Sequence, residues 1–165
     1  MKFNSVKEYF YKLNNIGYQA MMVPLICFIY FYTQSFFYDH TPLILDETSQ
    51  FYLLTGVVFM GLVILTIVQL ITYKKAKRIS SQVGLGIKLE RLGTVLKTQL
   101  IGLAGIALLM PLGLVATGHP AFTVAFGIAL AIYFLHWPTP ARVVRLLKLK
   151  GDEREMVLSR GEAFM

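Results

Sequence analysis

Residues 51–73 read FYLLTGVVFMGLVILTIVQLITY. No Lys, Arg, Asp or Glu interrupts them; the polar side chains are Thr55, Thr66 and Gln69 with the terminal tyrosines. A helix that crosses the hydrocarbon of a bilayer needs about 20 mainly apolar residues. A surface helix of a soluble protein carries a polar face instead, and this stretch has none. Three more runs share its character: 16–37 (IGYQAMMVPLICFIYFYTQSFF), roughly 99–117 (QLIGLAGIALLMPLGLVAT) and roughly 120–137 (PAFTVAFGIALAIYFLHW). None holds a charged residue.

The four runs predict an all-α fold, a polytopic membrane protein whose 165 residues form a single membrane domain built as a four-transmembrane-helix bundle. A soluble bundle of fully buried helices is the competing reading, and four uncharged runs in so short a chain weigh against it. Composition agrees. Charged residues make up 15%, where soluble domains carry about 25%. The first run is expected to be retained, since it is long for a signal peptide and no small-residue cleavage site follows it.

Charge sets the orientation. All sixteen Lys and Arg fall in 1–15, 74–98 and 138–165. The 38–50 connection has no basic residue and three acids, Asp39, Asp46 and Glu47. Basic loops stay cytoplasmic, so both termini and the central loop are read as inside, in a bacterial inner (plasma) membrane. The net charge of +7 is therefore a topology signal. Nucleic acid is not expected as a partner, because no aromatic-interleaved basic surface accompanies the charge. The expected partners are the lipid bilayer and its anionic cytoplasmic headgroups, with a protein partner or a second copy of the chain. Lys74, Lys75, Arg78, Trp137, Arg142 and Arg145 are read as membrane-interface residues.

Short helices are predicted between the spans. Ser5 and Glu8 have capping-box spacing, and Val6, Tyr9, Phe10 and Leu13 then share one face, giving an amphipathic helix over 5–14. Its apolar face has two readings: contact with the inner leaflet, or packing against the other cytoplasmic elements. In the 74–98 segment, SSQVGLG supplies a turn and Leu85, Leu89, Leu92 and Leu96 form a helical stripe. In the 139–165 tail, Pro138 ends the fourth run and Thr139-Pro140 starts a new helix. Gly151 is expected to end it, and Asp152 with Glu155 to cap a last helix near 153–160.

The runs carry little that reads as chemistry. Transporters and proton carriers place ionisable residues at mid-depth, and here there are none. Gln34 and Gln69 are candidates for hydrogen bonds across helices; Gly102, Gly105, Ala125, Gly127 and Ala129 are candidates for close helix packing. Pro24 and Pro111 are expected to kink their helices. A metal site from His40, His119 and a nearby acid matches no ligand spacing, and GLG at 84–86 lacks the context of a phosphate loop. The single cysteine, Cys27, forms no internal disulfide. No cofactor and no enzymatic constellation are expected.

EYFYKLNNIGYQAMM, then GLGIKLERLGTVLKTQLI, then a short outer turn, then PTPARVVRLLKL resembles small bacterial four-helix integral membrane proteins of uncharacterised activity. The resemblance implies that fold and an inner-membrane location, and no functional residues. The expected role is a non-enzymatic scaffold or accessory subunit. A small oligomeric transporter or channel is the alternative; a membrane enzyme acting on lipid-like substrates lacks a catalytic group.

Overall fold

The computed structural model describes residues 3–37, 43 and 46–161. It is all-helical: α1 Val6–Phe37, α2 Glu47–Ser80, α3 Leu85–Thr117, α4 Ala121–Leu135, α5 Pro140–Leu147 and α6 Gly151–Leu158. Three of these, α1, α2 and α3, are long and apolar enough to cross a membrane. Helix α4 has 15 residues, about 22 Å at 1.5 Å per residue, short of a bilayer core of ~30 Å.

The helix starts follow local chemistry. Ser5 Oγ accepts the Glu8 backbone N–H at 3.1 Å, and the Glu8 carboxylate reaches back to the Asn4 N–H at 2.6 Å. Lys12 holds that carboxylate in an i,i+4 ion pair, and Lys12 with the Asn4 N–H lowers the Glu8 pKa. Asp46 caps α2, accepting from the Ser49 N–H and hydroxyl, both at 2.9 Å. Those bonds lower its pKa as well. Thr139 caps α5 by accepting the Arg142 N–H at 3.3 Å, with Pro140 in first position.

Three expectations change. The amphipathic 5–14 helix and the first apolar run form one unbroken helix, α1. Gly17 does not interrupt α1; it is buried where an added Cβ would stand 3.0 Å from the Trp137 ring. Gly151 does not end α5. Lys148 does so in a left-handed conformation (φ 52°), and Gly151, also at φ 52°, begins α6. The Asp152–Glu155 box is absent too: Lys150 is the N-cap of α6 and no side chain caps it.

The chain divides into two compact units. Unit 1 comprises residues 1–18, 68–100 and 137–165; unit 2 comprises 19–67 and 101–136. Unit 1 has a core of Tyr9, Phe10, Leu13, Leu89, Leu92, Leu96, Leu100, Val143, Leu147 and Val157. The N-terminal stripe is therefore covered by protein, which decides between its two readings. The leucines are the stripe read from the sequence, with Leu85 at its half-buried end. Unit 2 buries Leu103, Ala104, Ile106, Ala107, Met110 and Leu114 of α3 together with Phe122, Phe126 and Tyr133 of α4. In α3, 56% of the most apolar window is buried, against 17% in α1 and 6% in α2. α3 is thus the most buried of the three long helices, while α2 presents apolar side chains outward.

Candidate functional site

Two places combine several of the residues that the sequence singles out. The first is in unit 1, where the chain leaves α4 for α5. Trp137 lies over Gly17 and packs on Tyr18, ring centroids 4.8 Å apart. The Gly17 position also faces Leu100. Gly17 leaves room for the indole; a side chain there would push the ring away. Trp137 is only half-buried, as expected of a ring that is part apolar and part polar.

Beside Leu100 in sequence, Gln99 is 2% exposed. Its Oε1 accepts from Arg142 Nη2 at 3.0 Å. Arg142 is thus not a fully solvated interface residue. It is half-buried, tied to a side chain 43 positions away. Burial lowers its pKa to about 10, so it stays cationic at neutral pH. No described carboxylate pairs with it. Gln99 Nε2 and Arg142 Nη1 are both buried without a hydrogen-bond partner. The phenol of Tyr9 and the Asn14 Oδ1 are buried in the same condition, and burial raises the Tyr9 pKa, keeping the phenol neutral. A second long-range polar tie is made: Lys88 Nζ bonds both Glu153 oxygens at 2.7 and 3.1 Å. Glu153 is therefore engaged with α3. By contrast Lys74, Lys75, Arg78 and Arg145 are exposed, free for headgroups or a partner surface.

The second place is an apolar groove in unit 2 with a volume of about 410 Å³. Leu54, Val58 and Gly61 of α2, Ile106 and Met110 of α3, and Ala125 and Ala129 of α4 are among its walls. Two small residues proposed for helix packing thus line a gap between helices. Gly105 and Gly127 face open space within this chain, with nothing within 4 Å of an added Cβ, and Gly102 is half-buried. The glycine that does permit a close crossing is Gly113, which the spacing pattern misses. A methyl there would fall on the fully buried Phe122 ring. Its sequence signal is only a glycine in an apolar helix, which does not tell a packing site from an open one. Gln34 and Gln69 are both half-buried.

Among the described residues no group of His, Cys, Asp and Glu is arranged for a metal. His119 turns inward on its own loop, accepting the Ala121 N–H at 3.2 Å; His40 lies outside the described residues. No family model, curated protein or solved structure matches the chain. A functional reading therefore rests on these residues and their physical chemistry.

Proposed function

We propose that the chain is an integral protein of a bacterial inner membrane, with four spans, both termini cytoplasmic, and a non-enzymatic role as a scaffold or accessory subunit. One observation carries the membrane reading. The division of the chain into units, made by packing alone, also divides its charge. All sixteen Lys and Arg belong to the segments of unit 1, and none to those of unit 2. The parts of α1, α2 and α3 within unit 2 are 19–37, 47–67 and 101–117. At 1.5 Å per residue they measure roughly 26–32 Å, against a hydrocarbon core of ~30 Å. The outward side chains of these parts include Ile26, Ile29, Phe59, Leu62, Val63 and Ile67, an apolar surface suited to lipid. The short α4 would complete a fourth crossing with the Trp137–Pro138 exit as its interfacial end.

The scaffold role is supported by what surrounds that apolar part. Unit 1 is an ordered set of helices with a packed core and exposed basic residues, a form suited to binding. Unit 2 holds no ionisable group at the depth where transport chemistry places one. Reporter fusions after residues 43 and 83 test the topology: opposite sides of the membrane are expected, the second cytoplasmic, and equal labelling would overturn the insertion. Purification in mild detergent with native mass spectrometry tests the role. A partner or second copy at fixed stoichiometry is expected; recovery as a lone monomer in every mild detergent would count against a scaffold.

A further inference from the structure

We infer that Gln99 and Arg142 form a binding site for a phosphate oxyanion, supplied by a phospholipid headgroup or by free phosphate. The starting point is an incomplete pair. Arg142 spends Nη2 on Gln99 Oε1 at 3.0 Å, and Nη1 has no acceptor. Gln99, 2% exposed, has its Oε1 fixed by that bond, so its Nε2 donor has no freedom to swap places and is left without an acceptor. Each unpaired nitrogen shares a carbon with one end of the Nη2–Oε1 bond. The two open donors thus belong to side chains joined by one hydrogen bond, and a multi-oxygen anion bound at this pair has acceptors enough for both.

Charge narrows the occupant. Buried polar groups are nearly always satisfied, and an orphan points to a missing water or ion. A water would satisfy a donor and leave the guanidinium charge uncompensated. No described carboxylate is paired with Arg142, and Glu153 of α6 is held by Lys88 at 2.7 Å. An oxyanion supplies both the acceptors and the opposite charge, and guanidinium recognises phosphate through paired hydrogen bonds. The two open donors are themselves buried, but Arg142 as a residue is only half-buried, so a ligand reaches the pair by a shift of that side chain. Trp137 at the α4–α5 exit and Tyr18, packed at a tilt of 47°, present the aromatic surface that glycerol-phosphate regions of lipids commonly meet. The site stands apart from the proposed bilayer insertion, because free phosphate would bind it in a protein that never inserts.

The test uses the full chain, delipidated in a neutral detergent, with thermal unfolding and native mass spectrometry as readouts. Three probes are titrated: inorganic phosphate, phosphatidylglycerol, and diacylglycerol as a phosphate-free control. A phosphate-bearing probe is expected to raise Tm, and diacylglycerol is not. A response to phosphatidylglycerol alone assigns the lipid source; a response to both assigns the phosphate group itself. Arg142→Gln should weaken the response about tenfold or more, the range of a lost charge-assisted hydrogen bond. Gln99→Glu gives the guanidinium its own carboxylate, so this variant should fold and no longer respond. Arg145→Gln, removing an exposed charge one turn away, should respond as the wild type does. Absence of any response to both phosphate probes, meaning water only at the pair, would overturn the inference. So would an equal response in all three variants, meaning diffuse attraction to basic residues.

Discussion

Unit 1 and unit 2 share α1, α2 and α3 and differ in what those helices turn outward. The α3 segment of unit 1 keeps apolar residues inward and charge outward: Leu89, Leu92 and Leu96 are buried while Lys97, Arg91 and Glu90 are exposed. Unit 2 is apolar on both sides. It buries Phe122 and Phe126 and leaves Val124, Ile128 and Phe134 of the same helix exposed. An inward apolar face is what water enforces, since the surface that stays wet must be polar. An apolar outer face has no such cause in water. The difference teaches that burial alone does not reveal the solvent; the outward residues do.

The sharpest way to break the comparison is to place one charge in each region. Val63→Arg puts a guanidinium on the outer face of α2 in unit 2. If lipid meets that face, insertion costs about 2.5–3.5 kcal/mol and the membrane-associated fraction falls sharply. Val83→Arg, at a position 90% exposed in the turn before α3, is expected to stay within about 0.5 kcal/mol of wild type. Equal, small effects at both positions would make the two outer faces alike and remove the distinction.

A smaller effect separates the two close glycine contacts. Gly113→Ala in unit 2 drives a methyl into the Phe122 ring, which is 0% exposed and has nowhere to go. Overpacking of this kind costs about 1–3 kcal/mol. Gly17→Ala in unit 1 meets the far edge of Trp137 at 3.0 and 3.2 Å, on a ring that is half-exposed. The helix-propensity gain of Ala over Gly, about 0.8–1 kcal/mol, offsets that strain. Thermal unfolding should therefore rank Gly113→Ala well below Gly17→Ala, with the latter near wild type. Tryptophan fluorescence should move only in Gly17→Ala, because Trp137 is the chain's one tryptophan.

The smallest effect is acid fraying of two caps. Glu8 and Asp46 have folded pKa values below their ordinary 4.5 and 3.8. A depressed carboxylate contributes its stability above the ordinary value, and loses it as pH falls through the folded one. Amide exchange should therefore rise at the first turns of α1 and α2 below about pH 4, while the interior of α3 stays protected. Unchanged exchange at Glu8 and Ser49 would show that the capping bonds contribute nothing.

Much of the helical layout is local and could be read directly. Ser5 with Glu8, and Thr139 with Pro140, are start signals that act within a few residues, and each forms its bond. The leucine stripe at 89, 92 and 96 is a period that any partner surface would bury. Asp46 is equally legible, an Asx cap three residues before Ser49, though the charge pattern assigns it only to an outer loop. Gly151 was misread because glycine serves both ends of a helix: a left-handed residue can stop one or precede one, and Lys148 took the first task. The packing candidates fared unevenly for a similar reason. Gly105, Gly113 and Gly127 look alike in sequence, and only the crossing of α3 and α4 at Phe122 picks out Gly113.

By itself, the sequence determined that the chain is helical, that it carries four long apolar runs, three of which lie in helices long and apolar enough to span a bilayer, and that all basic charge stays out of those runs. These follow from period, length and charge, which each segment carries alone. Only the tertiary structure decided that Tyr9, Phe10 and Leu13 are covered by protein. It alone turned Arg142 from a solvated charge into the half-buried partner of Gln99, and tied Lys88 to Glu153 across 65 positions. Those outcomes depend on which distant residue arrives beside each one. A buried polar atom has no partner until the fold brings one, and at Gln99 and Arg142 the fold brings each to the other and leaves one donor of each unpaired.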